Sequence, residues 1–245
     1  LYGMRSKTLI GSVSLLYTQF RRNKGLHMID YGLSYQRFHY EEDLMYRRFN
    51  PYLVMSFRNK NDLRDNFRQK LIVRNVTVQR DQNEMVETDP DYNVFNVKYG
   101  FSDKNLIDYY SFNTDLQIAG KFGKISANYE FRKLFNSNRQ INVRVFAGAF
   151  LYNNTDTDFF SFALDRPTDY LFDYNYYGRS ESTGIYSQQI IIAEGGFKSQ
   201  LNTPFANEWI ATTNINTNIW KYIFAYGDLG FVGNNGATDF VYDSG

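Results

Sequence analysis

The chain holds two histidines and no cysteine. His27 lies beside the charged stretch Arg21-Arg22-Asn23-Lys24-Gly25, and His39 ends a later apolar-polar run. A zinc site draws its ligands from Cys, His or acids at close spacing, and the sequence has no H-E-x-x-H and no close His pair. Both histidines read as interface or loop residues. Asn153-Asn154-Thr155-Asp156-Thr157-Asp158 is oxygen-rich like a calcium loop. It lacks the Gly at the sixth position and the Glu at the twelfth that an EF-hand requires. With Asp165, Asp169 and Asp173, its aspartates read as solvated surface acids. There is no G-x-S-x-G, phosphate loop or dinucleotide fingerprint. No catalytic residue, metal or cofactor is therefore expected within the chain.

A second group of charges could act through a lumen. Asp115, Lys121, Glu130, Arg132 and Arg144 fall on the polar side of alternating runs. They would either line a pore and set its selectivity or pair into a network that fills a closed interior. Arg179 and Glu181 belong to a long irregular stretch. Arg179 would either fold inward against an acid such as Glu130 or Glu194 or stay exposed. Trp209 and Trp220 bracket one run about eleven residues apart, the placing of two interfacial anchors one membrane thickness apart. Gly195-Gly196 reads as a bulge or close packing within a strand.

These residues need a scaffold, and the pattern that supplies it is period two. Phe112, Thr114, Leu116, Ile118, Gly120 and Phe122 alternate with Asn113, Asp115, Gln117, Ala119 and Lys121. After a turn at Gly123, Ile125, Ala127, Tyr129 and Phe131 alternate with Lys124, Ser126, Asn128, Glu130 and Arg132. Past Asn136-Ser137-Asn138 come Ile141, Val143, Val145, Ala147, Ala149 and Leu151, against Asn142, Arg144, Phe146, Gly148 and Phe150. Runs of about ten residues joined by tight turns predict an antiparallel meander. They are about twice the usual strand of about five or six residues. A tilted strand of about that length crosses a bilayer, and only a closed barrel does so without an unpaired edge in lipid.

Strands are predicted over 9–20, 28–40, 49–58, 67–80 and 94–102 before these three. The pattern then stops over 152–187, a loop rich in Asp, Asn, Tyr and Phe; loops of that length are usually functional. Strands are predicted again over 189–199, 209–220 and 222–232, with another beginning at Phe240. The fold class is thus all-β, an antiparallel transmembrane β-barrel over residues 1–245. With no signal peptide and a last strand just begun, the chain reads as incomplete at both ends and as a segment of a longer protein.

Composition agrees. Aromatics make up 18% of the residues, with 21 Tyr and 22 Phe, as girdles at two membrane interfaces require. The mean hydropathy of −0.50 suits a sheet with one polar face, and no apolar run approaches the roughly 20 residues of a membrane helix. The net charge of +1 gives no argument for nucleic acid.

From about Ile141 onward the order of features resembles a known group. A strand precedes a long loop, then come Ile190-Ile191-Ile192-Ala193-Glu194-Gly195-Gly196, Pro204, a strand ending Asn218-Ile219-Trp220, and Tyr226-Gly227-Asp228-Leu229-Gly230. This resembles the last part of the outer-membrane assembly and translocation barrels. In those, a long loop enters the lumen and a late strand carries an aromatic-Asp-x-Gly pattern. The loop wording, Phe162-Ala163-Leu164-Asp165-Arg166-Pro167 through Gly178-Arg179-Ser180-Glu181, is more similar to large outer-membrane proteins of the Bacteroidota. In some of these a gluzincin-type metallopeptidase domain precedes a related barrel. The resemblance implies a bacterial outer-membrane location, with membrane lipid and other envelope proteins as partners. It implies a barrel that anchors a larger envelope protein, or alternatively one that assists protein assembly or translocation. A nutrient uptake barrel with a separate plug is a third reading. A soluble β protein would need a second layer over its apolar face.

Overall fold

The computed structural model describes the chain except residues 1–2, 6–7, 22–24, 42–43, 59–65, 82–90, 106, 136–138, 167, 174–192 and 221–222. Its strands, in chain order, are β1 (Gly3–Arg5), β2 (Thr8–Phe20), β3 (Gly25–Glu41), β4 (Leu44–Arg58) and β5 (Arg68–Asp81). β6 (Tyr92–Lys104), β7 (Asp108–Ala119), β8 (Phe122–Phe135) and β9 (Arg139–Asn153) follow. Beyond a 3-10 turn at Asp158–Phe160 come the short β10 (Phe162–Ala163) and β11 (Phe205–Ala206), then β12 (Trp209–Trp220), β13 (Ile223–Asn234) and β14 (Ala237–Ser244).

Every pairing is antiparallel, and the main sheet runs β1 through β9 and then β12, β13 and β14, each strand beside its predecessor. This is the all-β meander of a barrel wall, with β1 and β14 at its two ends and no pairing between those ends among the described residues. β10 and β11 pair only with each other, inside the 154–208 connection.

Alternation decides the two faces. On β8, Ile125 and Tyr129 are exposed on one side, whereas Lys124 is buried on the other. The exposed side continues through Tyr31, Tyr35, Phe49, Phe95, Ile118, Val145, Ile215, Leu229 and Phe231. The opposite face holds two apolar clusters. One joins Tyr46, Val76, Val78, Val94 and Phe122 to Tyr170, Leu171 and Phe172 of the 154–208 connection. The other joins Phe146, Ile210 and Val232 to Phe162, Leu164 and Phe197 of the same connection. Between β4 and β13 one face is therefore packed in part against the chain's own loop, and the other is left apolar and uncovered; on β2, Leu15 and Leu16 are exposed on both faces.

Four expectations are corrected. The turn after β7 lies at Gly120-Lys121, not at Gly123, so Phe122 falls on the covered face and is fully buried, while Lys121 is exposed in the turn. The two-residue turn resets the alternation, and a bulge between Gly123 and Lys124 follows. The predicted strand over 189–199 is absent from its described part: residues 193–199 form bends and irregular backbone. Ala193 and Phe197 are buried under the wall, and periodicity alone does not distinguish such a buried segment from a strand. The connection also extends to Glu208, since β9 runs to Asn153 and the next wall strand starts at Trp209.

The last hairpin begins at Ala237, before the expected Phe240, because Asn235 (φ 51°) and Gly236 (φ 77°) form a two-residue turn. Positive φ at both central residues is the type I′ geometry that Asn-Gly favours.

Candidate functional site

The covered face is where charge and loop meet, and strand register brings its residues together. Lys98 on β6 pairs with Asp115 on β7, Asp115 with Ser126 on β8, and Glu130 on β8 with Arg144 on β9. Each pair shares a face because directly opposed residues of neighbouring strands point the same way.

The first contact between loop and wall centres on Asp173. Its carboxylate accepts hydrogen bonds from Arg48 on β4 at 2.7 Å and from both terminal nitrogens of Arg74 on β5 at 2.8 and 2.5 Å. Lys98 lies 3.9 Å away. Asp169 caps the segment by accepting the Asp173 N–H at 2.7 Å. Burial pushes the Asp173 carboxyl up, but the hydrogen bond and charge of Arg74, with Lys98 and Arg48, outweigh it and hold it below the ordinary carboxylate value. Asn96, fully buried on β6, accepts from Arg74 Nε at 2.7 Å and donates to Asp115 and to the Leu116 carbonyl.

The second contact encloses Lys124. Its ammonium is 2% exposed, donates to the Phe160 carbonyl at 3.0 Å and lies 3.8 Å from Glu194. The rings of Phe162 and Tyr170 stand 4.6 and 4.8 Å from it. An ammonium over aromatic faces is attracted by their quadrupole, more strongly where water is excluded. Burial, then Glu194 and Asp115, push the Tyr170 phenol well above its ordinary value. It stays neutral and donates to Gln117 at 2.5 Å.

The third contact joins the late strands. Arg144 donates to the Glu194 carbonyl at 2.7 Å and to Asn214 Oδ1 at 3.1 Å. Asn214 donates to the Gly195 carbonyl at 3.2 Å and to Asp228 at 3.0 Å. Asp228, 0% exposed, takes both hydrogen bonds of Lys198, at 2.7 and 3.0 Å. Gly196 has φ +79°, and a Cβ there would meet Asn214 Oδ1 at 2.5 Å and Arg144 Nη1 at 2.6 Å. Close packing at Gly195-Gly196 is thus present, though in the loop and not in a strand.

Of the residues singled out from sequence, Arg144 and Glu194 belong to this network. Glu130 accepts from Asn128 at 3.0 Å and lies 4.0 Å from Arg144. Arg132 stays exposed, 5.3 Å from the Tyr109 ring centre. Arg179 and Glu181 lie outside the described residues. Trp209 and Trp220 do end β12; the Trp209 indole rests over Gly233, where a Cβ would come within 2.2 Å of Nε1. The loop aspartates do not behave alike. Asp156 and Asp158 are exposed, but Asp165 is 2% exposed and accepts the Leu201 N–H at 2.6 Å, and Asp173 clamps three strands. For those two, the reading as solvated surface acids is corrected.

Lys124, Lys198, Arg48, Arg74 and Tyr170 were not singled out. Lys124 and Arg74 carried a signal, a cation on the polar side of an alternating run, but nothing in the sequence names their partners. No group of three or more metal-ligating side chains occurs among the described residues. The arrangement holds a loop against a wall by ion pairs and buried rings.

The all-β meander with an inward-packed loop defines the class at the level of fold. No protein-family model matches the chain, and no curated protein matches it.

Proposed function

We propose that this chain is the wall of an outer-membrane β-barrel whose interior is occupied by the described parts of its own 154–208 connection, and that it serves as an anchor or scaffold in the cell envelope. The observation that carries this reading is the contrast between the two faces. The face toward the loop mixes two apolar clusters with charges, and Arg48, Arg74, Lys124 and Asp228 on it are paired with loop residues. The other face presents Tyr31, Phe49, Phe95, Ile118, Ile125, Val145, Ile215, Leu229 and Phe231 to its surroundings, each at least 41% exposed. An apolar face running along so many long strands has lower free energy in hydrocarbon than in water, by about 25 cal/mol per Å². β2 to β9, β12 and β13 run from 12 to 17 residues, beyond the roughly 9–11 that a tilted crossing needs.

The paired interior favours an anchor over an open pore. Asp173, Lys124 and Asp228 tie the loop to β4, β5, β8 and β13, which in a closed barrel would hold it across the lumen. An attached domain would be held near the membrane at high local concentration. A second reading, a barrel that assists assembly or translocation of proteins, is favoured by one contact. The loop docks through Lys198 onto Asp228 of Asp228-Leu229-Gly230, the strand pattern on which that resemblance rests.

The test is reconstitution of the chain into lipid vesicles with brominated acyl chains. Quenching of Trp209 fluorescence, together with planar-bilayer conductance near background, is the expected result. A monodisperse monomer stable without detergent would overturn the membrane reading. A large steady conductance would overturn the blocked lumen.

A further inference from the structure

We propose that the inner face of β5, β6 and β7 is a binding site for a small anion bearing a carboxylate or phosphate group. A cavity of about 670 Å³ opens there between wall and loop. Arg68 and Lys70 on β5 line it, with Lys98 and Lys104 on β6. Ser102, Ser111 and Asn113 add neutral polar groups to its lining.

Register sets these groups side by side. Arg68 pairs with Ser102 and Ser102 with Ser111; in the next inward row Lys70 pairs with Gly100 and Gly100 with Asn113. Neighbouring strands are about 4.8 Å apart and alternate residues on a strand about 6.6 Å apart. Two cations, two hydroxyls and an amide therefore frame a patch the width of one carboxylate or phosphate. Gly100 leaves room for the Asn113 amide, whose Oδ1 lies where a Cβ at Gly100 would stand.

Charge balance decides the sign of the ligand. The acids lining the cavity are already engaged. Asp115 and Asp173 face Lys98 at 3.4 and 3.9 Å, Glu194 faces Lys124, Glu130 accepts from Asn128, and Asp169 accepts from the Asp173 backbone. Lys70 has no hydrogen bond or ion pair among the described residues, and its side chain is exposed to the cavity. Asp115, Asp173 and Glu194 already face a cation, whereas Lys70 faces no acid among the described residues, and an anion completes it. The site does not depend on the membrane reading, since it is read in detergent solution whether or not the chain inserts into lipid.

The test titrates the folded full chain at low salt by calorimetry, with inorganic phosphate in one arm and succinate in the other. At least one is expected to bind saturably, and which one identifies the anionic group. The Arg68→Gln/Lys70→Gln double variant is expected to weaken binding at least tenfold. Lys133→Gln, an exposed cation outside the cavity, is expected to leave it within twofold. Because Lys70 holds no partner among the described residues, Lys70→Gln alone is expected to preserve the fold and to weaken binding at least threefold. Absence of binding by both anions, or a Kd unchanged in Lys70→Gln, overturns the proposal.

Discussion

Lys124 of β8 and Glu194 of the long connection lie 3.8 Å apart, with the lysine enclosed on its remaining sides by Phe162, Tyr170 and Phe150. A buried ammonium is tolerated only when paired, so this contact ties the loop to the wall at one defined place. Removing one partner of a buried pair costs about 3–5 kcal/mol, because the other charge is left uncompensated. Glu194→Gln is expected to fall near the low end of that range, since the Phe160 carbonyl still accepts from Lys124. Thermal unfolding followed by the band shift between heated and unheated samples measures it. An unchanged midpoint would show that the loop is not held there.

Asp173 makes loop docking sensitive to acid. Its carboxyl titrates below the ordinary value of about 3.9 when folded and at that value when unfolded. The folded state then binds the proton more weakly, so the contribution to stability is complete above the ordinary value. It is lost as pH falls through that value toward the folded one. Wild-type protein is expected to lose protease resistance of the loop in that window. Asp173→Asn is expected to show weaker resistance at neutral pH and a flatter acid profile. Identical profiles for the two proteins would dismiss the clamp formed with Arg48 and Arg74.

Gly196 sits at φ +79° with Arg144 and Asn214 closing on the place a side chain would occupy. Gly196→Ala combines left-handed strain with displacement of two hydrogen-bonding groups, and about 2–3 kcal/mol of destabilisation is expected. Gly120, whose Cβ would meet nothing within 4 Å, is the control, and Gly120→Ala is expected to cost under about 1 kcal/mol. Equal losses at the two sites in denaturant titrations would mean that the loop does not press on Gly196.

Leu229 is 50% exposed on the outer face of β13. If that face meets lipid, Leu229→Arg costs up to about 2–4 kcal/mol for insertion near the midplane. Folding yield into vesicles is expected to drop accordingly. A soluble protein with the same substitution would gain solubility and lose little stability, so the direction of change separates the two environments.

Much of the wall was legible from residues alone. Trp209–Trp220 matched its predicted bounds, and the three strands from β7 to β9 stood out because hydrophobic alternation is a local property of the pleat. The β7–β8 turn was misplaced for an equally local reason. Gly120, Gly123 and the bulge beside Lys124 lie within a few residues, and more than one of them is able to reverse the chain. Asn235-Gly236 is a turn signal that places the start of β14 correctly once its type I′ chemistry is applied.

What the sequence by itself determined is the period of the strands, the polarity of their two faces and the place where regularity stops. Each depends on neighbours a few residues apart. Only the tertiary structure decided what the charges on the polar face do. Asp173 reaches Arg48 across 125 residues of chain and Arg74 across 99. Glu194 lies against Lys124, 70 residues away in the chain. Such pairings follow from how the irregular connection folds back over the wall, where burial forces each charge to find a partner that no local pattern names.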